Sequence, residues 1–255
     1  LACFMPLALG FLLPGALLLH MALTEGDAQF GARFLHLARN SFVLASVTAL
    51  LAVVLAVLLA YAARLSRVRF PHALNRLVGL GYAVPGSVIA VGVLIPVTRL
   101  DNWLAQAITQ AWGVNPGLLL TGGVAALVYA YLTRFLSVAL QTVETGLSKI
   151  TASMDDAARS LGFGRWATLK RVHIPIMRGS LLSAALLVFV DVMKELPATL
   201  VMRPFNFDTL ATQAYTLASD ERLAEASTSA LTIVVVGLLP MIVLSSQIAR
   251  QRSSR

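Results

Sequence analysis

The sequence is poor in cysteine and in charged residues. Cys3 is the only cysteine among 255 residues, which excludes a disulfide framework and any site built on several thiolates. Only 13% of the residues are charged, whereas 58% are hydrophobic and the mean hydropathy is +0.79. A soluble domain of this length could not cover so much apolar surface. The chain is therefore expected to lie largely in a lipid bilayer.

Several motifs that carry enzymatic chemistry are also missing. The sequence contains no GxxxxGK[ST] phosphate-binding loop, no HExxH and no GxSxG nucleophile elbow. Its four histidines are scattered, with no pair at i, i+4, so a stable metal site is not expected. We therefore expect neither an enzyme nor a chain that binds a cofactor of its own.

Six apolar stretches are each long enough to cross a bilayer, which takes about 20 helical residues. They cover residues 2–23, 41–63, 74–97, 118–140, 176–201 and 228–249. The sequence therefore predicts an all-α fold, a polytopic transmembrane bundle of six spans in a single domain covering residues 1–255.

Basic residues are concentrated in alternate loops. The stretches 64–76, 134–178 and 250–255 carry fourteen of the 20 basic residues and three of the 12 acidic ones. The positive-inside rule assigns these stretches to the cytoplasm, together with both ends of the segment. The loops 24–40 and 203–226 are then external. Because topology accounts for the net charge of +8, nucleic acid is not an expected partner.

The most polar stretch lies within 141–175 and reads DDAARSLGFGRWATLKRVHIP from Asp155. Ser153 is the predicted N-cap of a short helix, with Asp156 three residues later at the capping-box position. Gly162 is the predicted C′ stop. Pro175 is predicted to mark the start of the next long helix.

This stretch follows the pattern D-A-A-x3-G-x9-V-x-I-P. The residues concerned are Asp156, Ala157, Ala158, Gly162, Val172, Ile174 and Pro175. The pattern resembles the EAA loop of binding-protein-dependent ABC importer permeases, E-A-A-x3-G-x9-I-x-L-P. The spacing agrees throughout, and the three departures (Asp for Glu, Val for Ile, Ile for Leu) are conservative. The resemblance implies the type I, MetI-like permease fold.

The resemblance also implies roles and partners. The loop would form a coupling helix that docks on a cytoplasmic ATPase dimer, which holds the ATP and Mg²⁺. Asp156 would face a basic residue of that partner, while Ala157 and Ala158 keep the helix thin. Gly162 would permit the sharp exit. The alternative for Asp156 is capping of the helix dipole alone.

Further partners implied by the family are a periplasmic substrate-binding protein and a second permease half or subunit. The first residue is Leu and an apolar run follows at once. We therefore expect the C-terminal half of a longer permease, placed in a bacterial inner membrane.

Two places are candidates for the transport pathway. Pro85 and Gly86 interrupt the third span, either as a functional break or as a packing kink. Asp191, Lys194 and Glu195 lie at i, i+3, i+4 in the fifth span, where charges face a pathway or one another.

The run from Asp191 to Ala211 resembles the corresponding region of ferric-iron permeases. Fe³⁺ favours oxygen ligands, so Asp191 and Glu195 could contact it transiently. Alternatively, the three charges form a salt-bridged cluster within the helix. Arg134 is expected to extend to the cytoplasmic interface.

Rival functions remain open from the sequence. The same type of transporter could carry sulfate, thiamine, a polyamine or a phosphonate. A rival of a different class is a membrane protein that needs no ATPase, either a secondary transporter or a membrane enzyme.

Overall fold

The computed structural model describes residues 4–24 and 30–253, and these residues form helices, turns and loops without a strand. Five helices are long and apolar enough to cross a membrane. They are α1 (Phe4–Thr24), α2 (Ala32–Leu65), α4 (Gly86–Trp112), α5 (Val124–Leu147) and α7 (Arg165–Met193). The all-α prediction is confirmed.

Five further helices complete the described part of the chain. They are α3 (Phe70–Gly79), α6 (Ala152–Ser160), α8 (Pro197–Met202), α9 (Leu210–Ser219) and α10 (Leu223–Ser253). The predicted sixth span, 228–249, falls in α10, which is not among the five helices named above as long and apolar enough to cross a membrane. The sixth span therefore stays a prediction.

Several helices of spanning length extend beyond the predicted spans at one end or both. For example, α2 was predicted as 41–63 and has 34 residues, or about 50 Å at 1.5 Å per residue. The hydrocarbon core of a bilayer is only about 30 Å thick. Hydropathy marks the apolar middle of such a helix and misses its polar ends, where Arg33 and Arg39 are exposed.

The predicted third span, 74–97, is divided. A 3₁₀ turn at Leu80–Ala83 follows α3, and Pro85 is the N-cap of α4. Pro85 therefore precedes a helix instead of kinking one, a position where its missing N–H removes no helical hydrogen bond. The helix that follows runs to Trp112, well past the predicted end.

The fifth span also differs from its prediction at both ends. It was expected to start near Pro175, but α7 begins at Arg165. A π-helical turn at Leu169–His173 precedes Pro175, and such a turn shifts the hydrogen-bond register where a proline cannot donate. The helix ends at Met193, and α8 begins only at Pro197.

The centre of the bundle is formed by α2, α5 and α7, which pack against one another. Small residues allow this close approach. The fully buried alanines of these three helices are Ala45, Ala52, Ala56, Ala139 and Ala184. Larger side chains fill the space between them, notably Leu127, Phe135, Leu140 and Val188.

Asp101 lies inside α4, where it is fully buried. Its carboxylate accepts hydrogen bonds from the backbone N–H groups of Leu119, Leu120 and Thr121, at 2.8 to 3.1 Å. The Thr121 hydroxyl donates a further bond at 2.6 Å. Asp101 therefore holds the segment that leads into α5 against α4.

Candidate functional site

The short helix α6 lies in the predicted coupling loop and is capped differently at its two ends. Thr151 is its N-cap, and Ser153 bonds to the Thr151 hydroxyl at 2.8 Å without capping a backbone N–H. The prediction of Ser153 as N-cap is therefore wrong. At the other end Gly162 has a φ of +79°, the left-handed C′ conformation that glycine adopts without strain.

Backbone hydrogen bonds fix the exit from α6. The Gly162 N–H donates to the Arg159 carbonyl at 2.9 Å, and the Phe163 N–H donates to the Ala158 carbonyl at 3.0 Å. These two bonds form a Schellman motif, which closes the helix with a sharp turn. The direction in which the chain leaves α6 towards α7 is thereby set.

Arg64, in the last turn of α2, anchors α6. Its guanidinium donates to Asp155 Oδ2 from Nη2 at 2.7 Å and from Nε at 3.1 Å. It also donates to the carbonyls of Leu147 at 3.1 Å and Ile150 at 2.9 Å, where α5 ends. One side chain therefore joins the ends of α2 and α5 to the start of α6.

The second oxygen of Asp155 is bound by a histidine from α7. His173 Nε2 lies 2.7 Å from Asp155 Oδ1, and the His173 side chain is buried. The Tyr61 ring packs edge-on against this imidazole, and the Tyr61 hydroxyl donates to the Arg165 carbonyl at 2.7 Å. Asp155 is thus held simultaneously by α2 and α7.

The pKa of Asp155 reflects these contacts. Partial burial raises it, but hydrogen bonds and charge from Arg64 and His173 outweigh burial, and the net pKa lies below the ordinary 3.8. The carboxylate is consequently ionised at neutral pH, and the Arg64 contact is a true ion pair.

The seven residues of the sequence motif do not share one surface. On α6, Asp156 and Ala157 are exposed, whereas Ala158 is buried. Asp156 pairs with Arg159 one turn later. The remaining motif residues lie beyond α6. They are Gly162 in the turn, and Val172, Ile174 and Pro175 in α7.

The predicted pathway charges separate into two pairs. Lys194 is exposed and pairs with Asp191 at 2.9 Å. Glu195 is buried in the break between α7 and α8, where both its oxygens lie 3.0 Å from Arg134 Nη1. The Asp191–Lys194 pair therefore matches the interpretation of a local salt bridge, while Glu195 belongs to a different contact.

Arg134 does not reach towards the interface as expected. It lies in α5, and its guanidinium carbon is 6.0 Å from the centre of the Tyr82 ring and 5.4 Å from that of Phe135. Aromatic faces attract a cation in this way. The contact with Glu195 accounts for the difference, because a nearby buried carboxylate attracts Arg134 into the protein.

Gly86 makes room for this ion pair. A Cβ atom at Gly86 would lie 2.3 Å from Arg134 Nη1 and 2.4 Å from Glu195 Oε1. Gly81 is equally restricted, since its Cβ would lie 2.2 Å from the Thr133 carbonyl oxygen. The break between α3 and α4 thus packs directly on α5 at the ion pair.

Glu195 also organises α8. Its side chain accepts a bond from the Ala198 N–H at 3.2 Å, and its carbonyl accepts one from the Thr199 hydroxyl at 2.6 Å. Tyr131 from α5 bonds to the same hydroxyl at 2.5 Å. Glu195 therefore joins three helices and is already paired with a cation.

No group of three or more metal-binding side chains comes together within residues 4–24 and 30–253. Both carboxylates proposed as transient ligands, Asp191 and Glu195, have cationic partners in this conformation.

Sequence reasoning missed Arg64, Asp155 and His173 as a unit, and Arg134 as the partner of Glu195. The available signal was weak. Arg64 ends an apolar span and matches an ordinary positive-inside residue. Asp155 is 91 positions from Arg64 and 18 from His173, so no periodicity links them.

We expect Arg64→Gln and Asp155→Asn each to lower the free energy of unfolding by about 1.5–3 kcal/mol, the range for hydrogen bonds to charged groups. Because the two residues share one contact, the double variant should lose less stability than the sum of the two single losses. Unfolding of the purified protein in detergent, followed by circular dichroism, measures this coupling. Strictly additive losses would contradict it, and exposed Arg69→Gln serves as the control.

The lowered pKa of Asp155 gives the coupling a pH dependence. The stabilisation from its ionised form is fully present above the ordinary pKa of 3.8. It is lost as the pH falls through the lower folded pKa. The difference in stability between wild type and Asp155→Asn should therefore shrink only in strong acid.

Gly86→Ala should destabilise the protein by about 1–3 kcal/mol, because the added methyl group displaces a buried ion pair. The matched control is Gly92→Ala in the same helix, where no atom lies within 4 Å of the new Cβ. That change should be neutral or stabilising by up to about 1 kcal/mol. Thermal unfolding compares the two, and equal effects would contradict the proposed close contact.

Some known transport proteins are similar to this chain in sequence or in fold. No family model matches the chain. The Fe(3+)-transport system permease protein FbpB 2 of Haemophilus influenzae is 28% identical over 213 residues, covering 84% of this chain and 39% of that protein. The chain thus spans about two fifths of the length of this relative.

A second relative is the putative 2-aminoethylphosphonate transport system permease protein PhnV of Salmonella typhimurium. It is 26% identical over 212 residues, covering 81% of this chain and 74% of that protein. Both relatives are named as transport permeases and not as enzymes.

Two solved structures share the fold. One is a bacterial alginate ABC transporter in complex with an alginate pentasaccharide-bound periplasmic protein, with a TM-score of 0.70 at 14% identity over 98% of this chain and 93% of that one. The other, a bacterial ABC transporter involved in alginate import, has a TM-score of 0.69 at 15% identity and the same coverage. The chain therefore has the fold of ABC importer permeases and is related in sequence to ferric and phosphonate ABC transport permeases.

Proposed function

We propose that the chain is the transmembrane permease component of an ATP-driven, binding-protein-dependent importer in a bacterial inner membrane, with ferric iron as its cargo. The observation that carries the proposal is the anchored helix α6. It is short, closed by Gly162, and bound through Asp155 to α2 and α7. A helix held in this way can transmit force from a partner to the bundle.

The exposed side of α6 supports docking on a cytoplasmic ATPase dimer. Asp156 and Ala157 are both exposed, so a charge and a small side chain are available to a partner. ATP and Mg²⁺ would be bound by that partner, since this chain lacks a phosphate-binding loop. The chain itself would make and break no covalent bond.

Displacement of α6 would pass to the core because its attachments are short and charged. Asp155 bonds at 2.7 Å to both Arg64 and His173, and α2 and α7 pack on each other and on α5. Closure of the ATPase dimer would then tilt these helices together and alternate the access of the pathway.

The Arg134–Glu195 pair is the proposed barrier in the pathway. Arg134 lies 13 positions before the end of α5, or about 20 Å from its predicted cytoplasmic end. Buried ionisable residues at such depth commonly line a pathway. The pair joins the interruption before α4 to the interruption before α8. If Arg134 and Glu195 separated, both interruptions would be released at once.

Ferric iron is the favoured cargo because the Asp191–Ala211 run resembles ferric permeases and a relative carries that name. A phosphonate is the second candidate, supported by a relative of comparable identity. Sulfate, thiamine and polyamines have no support of this kind. The same holds for a secondary transporter or a membrane enzyme.

A periplasmic binding protein would deliver the cargo at the external face, and a second permease half or subunit would complete the pathway. The first is supported by the alginate transporter, which was solved with its periplasmic protein. The second is supported by the greater length of the ferric relative.

Ala157→Leu tests the docking surface. We expect the bulkier side chain on exposed α6 to reduce co-purification of the ATPase with the full-length permease by about tenfold, equivalent to roughly 1.4 kcal/mol. Ala111→Leu, the same change at an exposed alanine near the end of α4, should have no effect. Equal co-purification of both variants would refute docking through α6.

The cargo is tested with the assembled transporter in proteoliposomes. Its ATPase rate should rise with the binding protein loaded with Fe³⁺ and should not rise with the same protein loaded with 2-aminoethylphosphonate or sulfate. Stimulation by the phosphonate alone would transfer the assignment to that cargo and leave the coupling proposal intact.

A further inference from the structure

A cavity of about 720 Å³ opens beside the Arg64–Asp155 pair, between the end of α2 and the start of α7. Its charged lining is mainly cationic. The basic side chains are Arg64, Arg67, Arg159, Arg165 and His173, and Asp155 is the only acidic residue that lines it. Such an excess of cations favours an anionic occupant.

The single carboxylate does not neutralise this lining. Its two oxygens are already bound, Oδ2 by Arg64 and Oδ1 by His173. Arg67 and Arg165 have no carboxylate partner in the part of the chain that the structure describes. Two guanidinium groups therefore remain available to a ligand.

His173 is the remaining basic residue of the lining. It lines the cavity and is buried, yet its Nδ1 has no hydrogen-bond partner among the described residues. This nitrogen is inaccessible from the cavity, so the groups offered to a ligand are the guanidinium groups and not the imidazole.

The N-terminus of α7 contributes backbone donors. Gly164 is its N-cap, and no side chain caps this end. The first helical hydrogen bond runs from the Thr168 N–H to the Gly164 carbonyl at 2.9 Å, so the N–H groups of residues 165–167 have no acceptor within the helix. Gly164, Arg165 and Thr168 all line the cavity, and a helix N-terminus favours an anion.

We propose that this cavity binds a phosphate group. Guanidinium groups match the geometry of phosphate oxygens, and unpaired N–H groups at a helix start complete such a site. The volume of the cavity is sufficient for inorganic phosphate and for larger compounds that carry a phosphate group. The proposal does not depend on the cargo or on docking of an ATPase.

Two kinds of ligand could supply this phosphate group, a phospholipid headgroup and a soluble phosphate compound. The cavity lies at the ends of two spans, next to the exposed side chains of Leu65 and Trp166. Basic cavities at such positions bind headgroups of anionic phospholipids. A soluble phosphate compound would use the same donors.

The test measures binding to the full-length permease in detergent. The probes are dioctanoyl phosphatidylglycerol, dioctanoyl phosphatidylcholine and inorganic phosphate. We expect phosphatidylglycerol or inorganic phosphate to bind, with an affinity that falls as salt rises. The variant is the double change Arg67→Gln and Arg165→Gln, which should weaken binding about thirtyfold, given the usual contribution of each basic residue.

The matched control is the double change Arg69→Gln and Lys170→Gln. It removes the same charge from the same two segments at exposed residues outside the cavity lining, and its affinity should stay within about twofold of wild type. Preference for phosphatidylglycerol identifies a lipid site, and binding of inorganic phosphate alone identifies a soluble ligand. The proposal is overturned if neither phosphatidylglycerol nor inorganic phosphate binds, or if both double variants lose affinity equally.

Discussion

The position of α6 depends on one carboxylate, Asp155, which is bound on one side by Arg64 and on the other by His173. Arg64 also satisfies the carbonyls of Leu147 and Ile150 at the end of α5. A cation at a helix C-terminus is favourable because the carbonyls there carry partial negative charge. The same guanidinium therefore completes α5 and holds the start of α6 against the end of α2.

A second ion pair, between Arg134 and Glu195, joins helices deeper in the bundle. Arg134 and Glu195 meet where two helical interruptions face each other, one before Gly86 and one before Pro197. Irregular backbone at membrane depth is tolerated when protein groups satisfy it. Here Glu195 accepts from the start of α8, and Gly86 leaves the space that the pair occupies. The two clusters are connected through α5 and α7, which pack against each other in between.

Arg64 also lines the cavity beside α7, so the anchor of α6 and the proposed phosphate site share an electrostatic environment. The basic residues of this cavity are also among those from which the positive-inside rule predicts a cytoplasmic location. A phosphate bound there would lie next to the one contact that fixes α6. Its charge would reduce the repulsion among the four arginines that line the cavity. It would thereby favour the arrangement in which α6 is bound to α2 and α7.

The sequence by itself determined the all-α class, the presence of several apolar helices of spanning length and the stop at Gly162, because these depend on composition and on local backbone preference. It did not give the helix ends, since hydropathy detects the apolar middle of a helix and misses the extension of α7 back to Arg165. Nor did it give the pairs of Arg64 with Asp155 and of Arg134 with Glu195, which lie 91 and 61 positions apart. Only the tertiary structure decided these contacts, because a charged side chain selects among many partners by proximity, and proximity is set by the packing of distant helices.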